Sequence, residues 1–113
     1  LRNILYAFEN NKMQAAALLL SNSNDVISES YKFFNERYTP IDKEDNVYFF
    51  TDNKNLVIGV SVDDTLGFNA IYIDYTLLSE NSLKDKKLDE IKKIRVNTLQ
   101  KLKTQYINRP KIN

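Results

Sequence analysis

The side chains that could do chemistry in this chain are restricted to carboxylates, lysines, arginines, tyrosines and hydroxyl groups, because it contains no cysteine and no histidine. The missing histidine removes the commonest general base and the commonest metal ligand. The missing cysteine removes thiol catalysis, disulfide bonds and thiolate metal sites. These absences exclude Ser-His-Asp and Cys-His hydrolases and ordinary zinc or copper sites. We therefore expect a protein without enzyme activity and without a cofactor.

Two adjacent acidic residues, Asp63 and Asp64, lie in a predicted turn, 63-DDTLG-67. Clustered carboxylates can bind a divalent cation, but this segment lacks the alternating ligands and the closing Glu of an EF-hand loop. The two glycines, Gly59 and Gly67, match neither a dinucleotide-binding fingerprint nor a P-loop. We interpret the aspartates as turn-forming residues, and the sequence predicts neither a metal site nor a nucleotide site.

Charge is distributed unevenly along the chain, although the total is only +1. Residues 1–81 hold six basic and twelve acidic residues, a net charge of −6, whereas residues 82–113 hold ten basic and three acidic residues, a net charge of +7. Such asymmetry indicates a partner for the basic end. The basic residues that we predict to contact a partner are Lys84, Lys86, Lys87, Lys92, Lys93, Arg95, Lys101 and Lys103.

Several interpretations of this basic segment remain open. A nucleic acid would be bound through its phosphates by counterion release. An acidic protein surface, including the acidic half of this same domain, would fit equally well. An anionic membrane is less favoured, because the segment lacks the large apolar face and the Trp of typical interfacial helices. The fourth interpretation is an ordinary solvated helix exterior, and the excess of lysine over arginine argues against base-specific readout.

The elements that would position these groups begin with helices. Apolar residues at helical spacing, Leu1, Ile4, Leu5 and Phe8, and the helix-forming run 15-AAALLL-20 predict helix over most of the first twenty residues, with a break or kink at Asn10–Asn11. After a turn at 21–25, Asn24 or Asp25 can cap a second helix, which ends before Pro40 because proline disfavours helical geometry in the preceding residue. The following segment, 40-PIDKEDN-46, is predicted to be an exposed linker.

The middle of the chain changes to strand periodicity. The segments 47-VYFFT-51, 56-LVIGVSV-62 and 70-AIYIDYTLL-78 predict a three-stranded antiparallel meander. Alternation places Tyr48 and Tyr72 on its outward face. Aromatic side chains there could form the centre of a protein interface or stack on nucleic-acid bases, unless a helix covers them.

The last predicted element is a helix that starts between residues 79 and 82 and ends at Asn108. Leu88, Ile91, Leu99, Leu102 and Tyr106 form its apolar stripe, and Arg95 falls in the middle of that stripe. A guanidinium there must extend to the helix edge, contact a carboxylate such as Asp74, or face a partner. We expect it to extend to the edge.

Residues 1–113 are thus predicted to form a single α+β domain: a three-stranded antiparallel meander packed with N-terminal helices and a long basic C-terminal helix. The chain opens without Met inside a predicted helix, so we expect a piece of a longer product. Its Asn-, Lys- and Ile-rich composition indicates a bacterial or phage source.

The predicted function is that of a non-enzymatic interaction module or accessory subunit that binds another macromolecule. We expect a protein partner, with a second copy of the chain among the candidates. One alternative is a small nucleic-acid-binding protein that uses the basic helix. The other is an extracytoplasmic domain behind a membrane anchor. The compartment does not follow from the sequence, although a cytoplasmic location is slightly favoured.

Overall fold

The structure, a computed structural model, describes residues 3–9, 12–74 and 85–108. Two strands are followed by a helix, four more strands and a long helix. Their bounds are β1 Asn3–Glu9, β2 Lys12–Leu19, α1 Asn24–Arg37, β3 Thr39–Glu44, β4 Val47–Thr51, β5 Leu56–Asp63, β6 Gly67–Asp74 and α2 Asp85–Asn108.

The strands form one six-stranded antiparallel sheet in the order β1-β2-β6-β5-β4-β3. Strands β3 to β6 are sequential neighbours, whereas β2 pairs with β6 and so places the N-terminal hairpin beside the last strand. The predicted α+β class with an antiparallel sheet is confirmed. The predicted three-stranded sheet is too small, because β1, β2 and β3 belong to the same sheet.

The predicted helices within residues 1–20 are wrong, since Asn3–Glu9 and Lys12–Leu19 are paired strands. Strand β2 lies inside the sheet, and Ala15 and Ala17 are buried against α2 while Ala16 faces the other side. Residues 15–19 of this inner strand are apolar on both sides of the sheet, and such a continuous apolar sequence resembles a buried helical turn. The break predicted at Asn10–Asn11 lies outside the described residues.

The helix predicted after residues 21–25 is confirmed as α1. Ser23, rather than the predicted Asn24 or Asp25, caps it, because its hydroxyl accepts a hydrogen bond from the backbone N–H of Val26 at 3.2 Å. The chain is already extended at Tyr38, and Pro40 lies in a strand. The predicted linker 40–46 is therefore largely strand β3 rather than irregular chain.

Helices cover the two faces of the sheet separately. On one face, α1 packs on a cluster that contains Phe34, Phe50, Ile58, Val60, Phe68 and Ala70. On the other face, α2 contributes Ile91 and Leu102 to a cluster with Val57, Ile71 and Ile73. Burial of both faces explains why consecutive residues of β5, Val57 and Ile58, are both fully buried. The middle of the sheet is thus the centre of the protein.

Candidate interaction surfaces

The basic residues of α2 are divided between the sheet and the exterior. The Lys92 ammonium pairs with the carboxylates of Asp42 and Glu44 on β3. Further along the helix, Lys103 Nζ lies 2.7 Å from Asp63 Oδ1 at the end of β5. Two lysines that we predicted to contact a partner therefore contact the acidic half of the same domain.

Arg95 is buried between α2 and the sheet, with only 5% of its surface exposed. Its Nη2 donates a hydrogen bond to Ser61 Oγ at 2.7 Å. Its side chain crosses β5 where only glycine leaves room, because a β-carbon on Gly59 would lie 2.8 Å from both Cδ and Nε of Arg95. The expectation that Arg95 extends to the helix edge is therefore wrong.

The polar surroundings of Arg95 explain how a guanidinium is tolerated there. Burial lowers its pKa, and the nearby Asp63 carboxylate opposes that shift. Its Nε has no hydrogen-bond partner among the described residues. Because the other end of the guanidinium is bound to Ser61, we interpret Arg95 as an internal contact between helix and sheet.

Two predicted basic residues, Lys93 and Lys101, lie on the exposed side of α2. Lys84 and the side chains of Lys86 and Lys87 lie outside the described parts of the chain. The described helix therefore presents fewer cations to a partner than the sequence indicates.

The carboxylates that contact α2 are held in their charged form. The hydrogen bond from Lys92 lowers the pKa of Asp42, and the same contact raises the pKa of Lys92. At Asp63, burial alone would raise the pKa, but hydrogen bonds from Lys103 and from backbone N–H groups outweigh it, so the pKa lies below its ordinary value. These contacts therefore attach α2 to the sheet at neutral pH.

The two predicted aromatic contacts, Tyr48 and Tyr72, lie under or beside α1. The ring of Tyr48 meets Tyr31 edge-on with centroids 5.1 Å apart, and it remains 37% exposed. Tyr72 is half-buried near Phe34, with ring centroids 6.4 Å apart. Burial, with a smaller contribution from Tyr38, raises the pKa of Tyr72 to about 12. Helix α1 thus covers much of the aromatic face.

An open groove of about 460 Å³ runs along α1 on the side of strand β2. Asp25 and Glu29 lie on its helical side. Its apolar lining consists of Leu18, Leu20, Val26, Phe33, Phe34 and Tyr72. Phe33, which is 43% exposed, forms part of the wall. The groove exists because α1 packs on β4, β5 and β6 and leaves the N-terminal hairpin uncovered.

The uncovered hairpin carries four exposed apolar side chains, which we call the hairpin surface: Ile4, Tyr6, Phe8 and Met13. Leu5 packs on the α2 side, so its neighbours in β1 must face the groove. The register agrees, since Ile4 pairs with the groove residue Leu18, and Phe8 pairs with Met13. The exposed fractions of these four side chains range from 38% to 60%, and the surface that they form adjoins the groove.

Sequence reasoning missed the hairpin surface, because the first twenty residues were interpreted as helix. Ile4, Tyr6 and Phe8 recur at every second residue, which is typical of a strand. This run is shorter than the competing helical pattern, so the helical interpretation was preferred.

No protein-family profile, curated protein or solved structure matches this chain. Among the described residues, no group of three or more acidic side chains could hold a metal ion. Neither helix, over its described length, is both long and apolar enough to cross a membrane. The function is therefore inferred from the contacts and the exposure of the described residues.

Proposed function

We propose that this chain is a non-enzymatic interaction module that binds a protein through the hairpin surface and the adjoining groove. The observation that supports this is a continuous apolar area that runs from Phe33 on α1 across the sheet to Phe8 on β1. Contiguous apolar patches larger than a few hundred Å² are rare on monomeric proteins and mark interaction sites.

The composition of this area fits a protein partner. Aromatic residues and methionine are enriched at the centres of protein interfaces, whereas charged residues are depleted there. Tyr6, Phe8, Met13 and Phe33 supply the centre. Asp25 and Glu29 lie on the rim beside α1, where an interface is normally polar.

The nucleic-acid alternative receives less support. Three of the basic residues that would contact phosphates, Lys92, Arg95 and Lys103, form contacts within the domain instead.

A salt titration with labelled single-stranded DNA and RNA discriminates the two functions. We expect no binding at physiological salt. Binding that weakens steeply with salt and is lost in the double variant Lys93→Gln, Lys101→Gln would replace the proposed function with nucleic-acid binding.

Site-specific photo-crosslinking tests the proposed surface directly. A benzophenone side chain replaces Phe33 or Met13 in turn, and the chain is irradiated in extracts of the organism that encodes it. We expect discrete protein adducts at both positions. The matched control is Val96, which is 52% exposed on α2 away from this surface and should give none. Adducts only at Val96, or at none of the positions, would contradict the proposal.

A further inference from the structure

The sheet face that carries α1 is only partly covered by the described helices. Helix α1 packs over the strands β4, β5 and β6, where Phe50, Ile58 and Phe68 are buried beneath it. The neighbouring strands β2 and β1 carry neither described helix on this face, because α2 packs on the opposite face. A half-covered sheet face leaves apolar surface in water unless another layer packs on it.

The uncovered part of this face has the width of one helix. Neighbouring strands lie about 4.8 Å apart, so β2 and β1 together span roughly 10 Å. Two packed helices lie about 8–10 Å apart, so a helix placed beside α1 would rest on these two strands. The groove between α1 and β2 follows the line along which the two helices would meet.

Apolar side chains line both sides of this uncovered area. Phe33 lines the groove on the α1 side, and Leu18 lines it on β2. Beyond Leu18, the side chains of Tyr6, Phe8 and Met13 are exposed on the hairpin surface. An occupant would bury these side chains with an apolar face of its own, as amphipathic helices do in hydrophobic grooves.

Charge on the α1 side of the groove selects the kind of helix. Asp25 and Glu29 are exposed, line the groove one helical turn apart, and form no ion pair with another described residue. At the other end of α1, the guanidinium carbon of Arg37 lies 4.7 Å from the centre of the Phe33 ring. Cations of an occupant would therefore lie beside Asp25 and Glu29, where an anionic occupant such as a nucleic acid would be repelled.

We propose that the groove and the hairpin surface bind one amphipathic helix of a partner protein, whose Lys or Arg residues contact Asp25 and Glu29. This inference rests on the proposed function, because it names the partner of the same surface. The partner helix lies antiparallel to α1, since basic residues are most favourable near the C-terminal end of a helix and the acidic pair lies near the N-terminal end of α1. In this direction its basic end also avoids Arg37.

The described helices of a second copy do not have this chemistry. Helix α2 buries Ile91 and Leu102 in the core of its own chain. Its Lys92 and Lys103 pair with carboxylates of the same sheet. A second copy would therefore offer neither that apolar face nor those two cations, and we expect the helix of a different protein.

Selection from a displayed peptide library tests the chemistry of the occupant. Random peptides of about 16 residues, roughly four helical turns, are selected against the immobilised 113-residue chain. We expect enriched peptides to carry apolar residues at helical spacing and Lys or Arg towards their C-terminal end, and to become helical by circular dichroism when bound. Enrichment of acidic peptides, enrichment of peptides with alternating apolar residues, or no enrichment would overturn the inference.

Two matched double variants test the contact with the acidic pair. Asp25→Asn with Glu29→Gln should weaken binding of an enriched peptide roughly 10-fold and reduce its salt dependence. Asp45→Asn with Glu90→Gln removes the same two types of charge at exposed positions that do not line the groove, and it should bind as the unmodified chain does. Fluorescence anisotropy with a labelled peptide at low and high salt measures both. Equal affinity of the two double variants would overturn the inference.

Apolar substitutions test the position of the peptide. Phe33→Ser should weaken binding roughly 30-fold, whereas Val96→Ser, at an exposed apolar position on α2, should leave it unchanged. Tyr6→Ser on the hairpin surface is the second variant in case Phe33→Ser does not fold, and it should also weaken binding. Peptide binding that neither variant affects would overturn the inference. A mass in sedimentation equilibrium of twice 13.2 kDa that Phe33→Ser returns to the monomer value would assign the surface to a second copy instead.

Failure of this inference is distinguishable from failure of the proposed function. Protein adducts at Phe33 and Met13, together with selected peptides that are not basic, would overturn the basic helix as partner and leave the interaction surface in place. No enriched peptide and no adducts at either position would overturn both.

Discussion

Strand β3, at one edge of the sheet, contains a proline, a bulge and three consecutive charged residues, whereas β1, at the other edge, contains none of these over residues 3–8. The charges of β3 also serve the fold, because Asp42 and Glu44 pair with Lys92 of α2. The exposed side chains of β1, by contrast, are Ile4, Tyr6 and Phe8.

This difference indicates which edge is protected against association. An edge strand with charges and a bulge resists added strands. The β3 edge of the sheet is thus protected, whereas the exposed side chains of β1 adjoin the groove beside α1.

Removing the protection of β3 should have the largest effect. We expect Asp42→Thr, Lys43→Val and Glu44→Thr together to produce heterogeneous larger assemblies, because the β3 edge could then pair with other chains. Light scattering during concentration measures this. The matched control is Lys92→Met, which removes the same ion pairs but leaves the charges of β3 in place and should not assemble further. A triple variant that scatters no more than the unmodified chain would contradict the protective role of these residues.

A substitution at the centre of the sheet should reduce the free energy of unfolding and leave the hairpin surface unaffected. Gly59→Ala forces the buried Arg95 side chain to move, because the added carbon would lie 2.8 Å from it. Overpacking of this kind typically costs about 1–3 kcal/mol, to be measured by urea unfolding. Ser61→Ala, which removes the hydrogen bond to Arg95 without adding volume, is the comparison variant. An unchanged urea midpoint in Gly59→Ala would contradict the described packing.

Acid should loosen the contacts between α2 and the sheet and leave β1 unaffected. The pKa values of Asp42 and Asp63 are lowered in the folded chain, so their contribution to stability is complete above the unfolded pKa and is lost as the pH falls through the folded value. With no histidine in the chain, we expect a constant urea midpoint from about pH 5 to 8 and a decrease below about pH 4.

Part of that acid effect should disappear in Lys103→Met, because this variant removes a hydrogen bond that lowers the pKa of Asp63. A urea midpoint that falls between pH 5 and 8 would contradict this assignment.

The smallest effect is expected on the exposed side of α2. Lys93→Gln should change the free energy of unfolding by less than about 0.5 kcal/mol and leave the photo-crosslinked adducts at Phe33 and Met13 unchanged. Urea unfolding and photo-crosslinking measure the two quantities. A clear loss of adducts would place the interface on α2 instead of the hairpin surface.

The parts of the fold that the sequence predicted are those with one dominant period. Helix α1 and strands β4 and β5 follow their apolar spacing, and α2 follows its stripe even though Arg95 interrupts it. The cap of α1 lies at Ser23, next to the predicted Asn24 or Asp25, and the helix ends before Pro40 as predicted.

The main errors in the predicted secondary structure lie in the two edge strands, β3 and β1. The charges and Pro40 that protect β3 are also the residues typical of an exposed linker, so the strand was interpreted as a loop. In β1, Leu5 packs on α2 while its neighbours stay exposed, and together they imitate a helical stripe. Arg95 is buried because Gly59 leaves room for its side chain. The spacing of apolar residues along the chain does not reveal that room.

Photo-crosslinking from both edges of the sheet tests the central claim most directly, because Met13 lies on the hairpin surface and Lys43 on the protected edge. We predict discrete protein adducts from a benzophenone side chain at Met13 and none from one at Lys43. Adducts at Lys43, or none at Met13, would contradict the account.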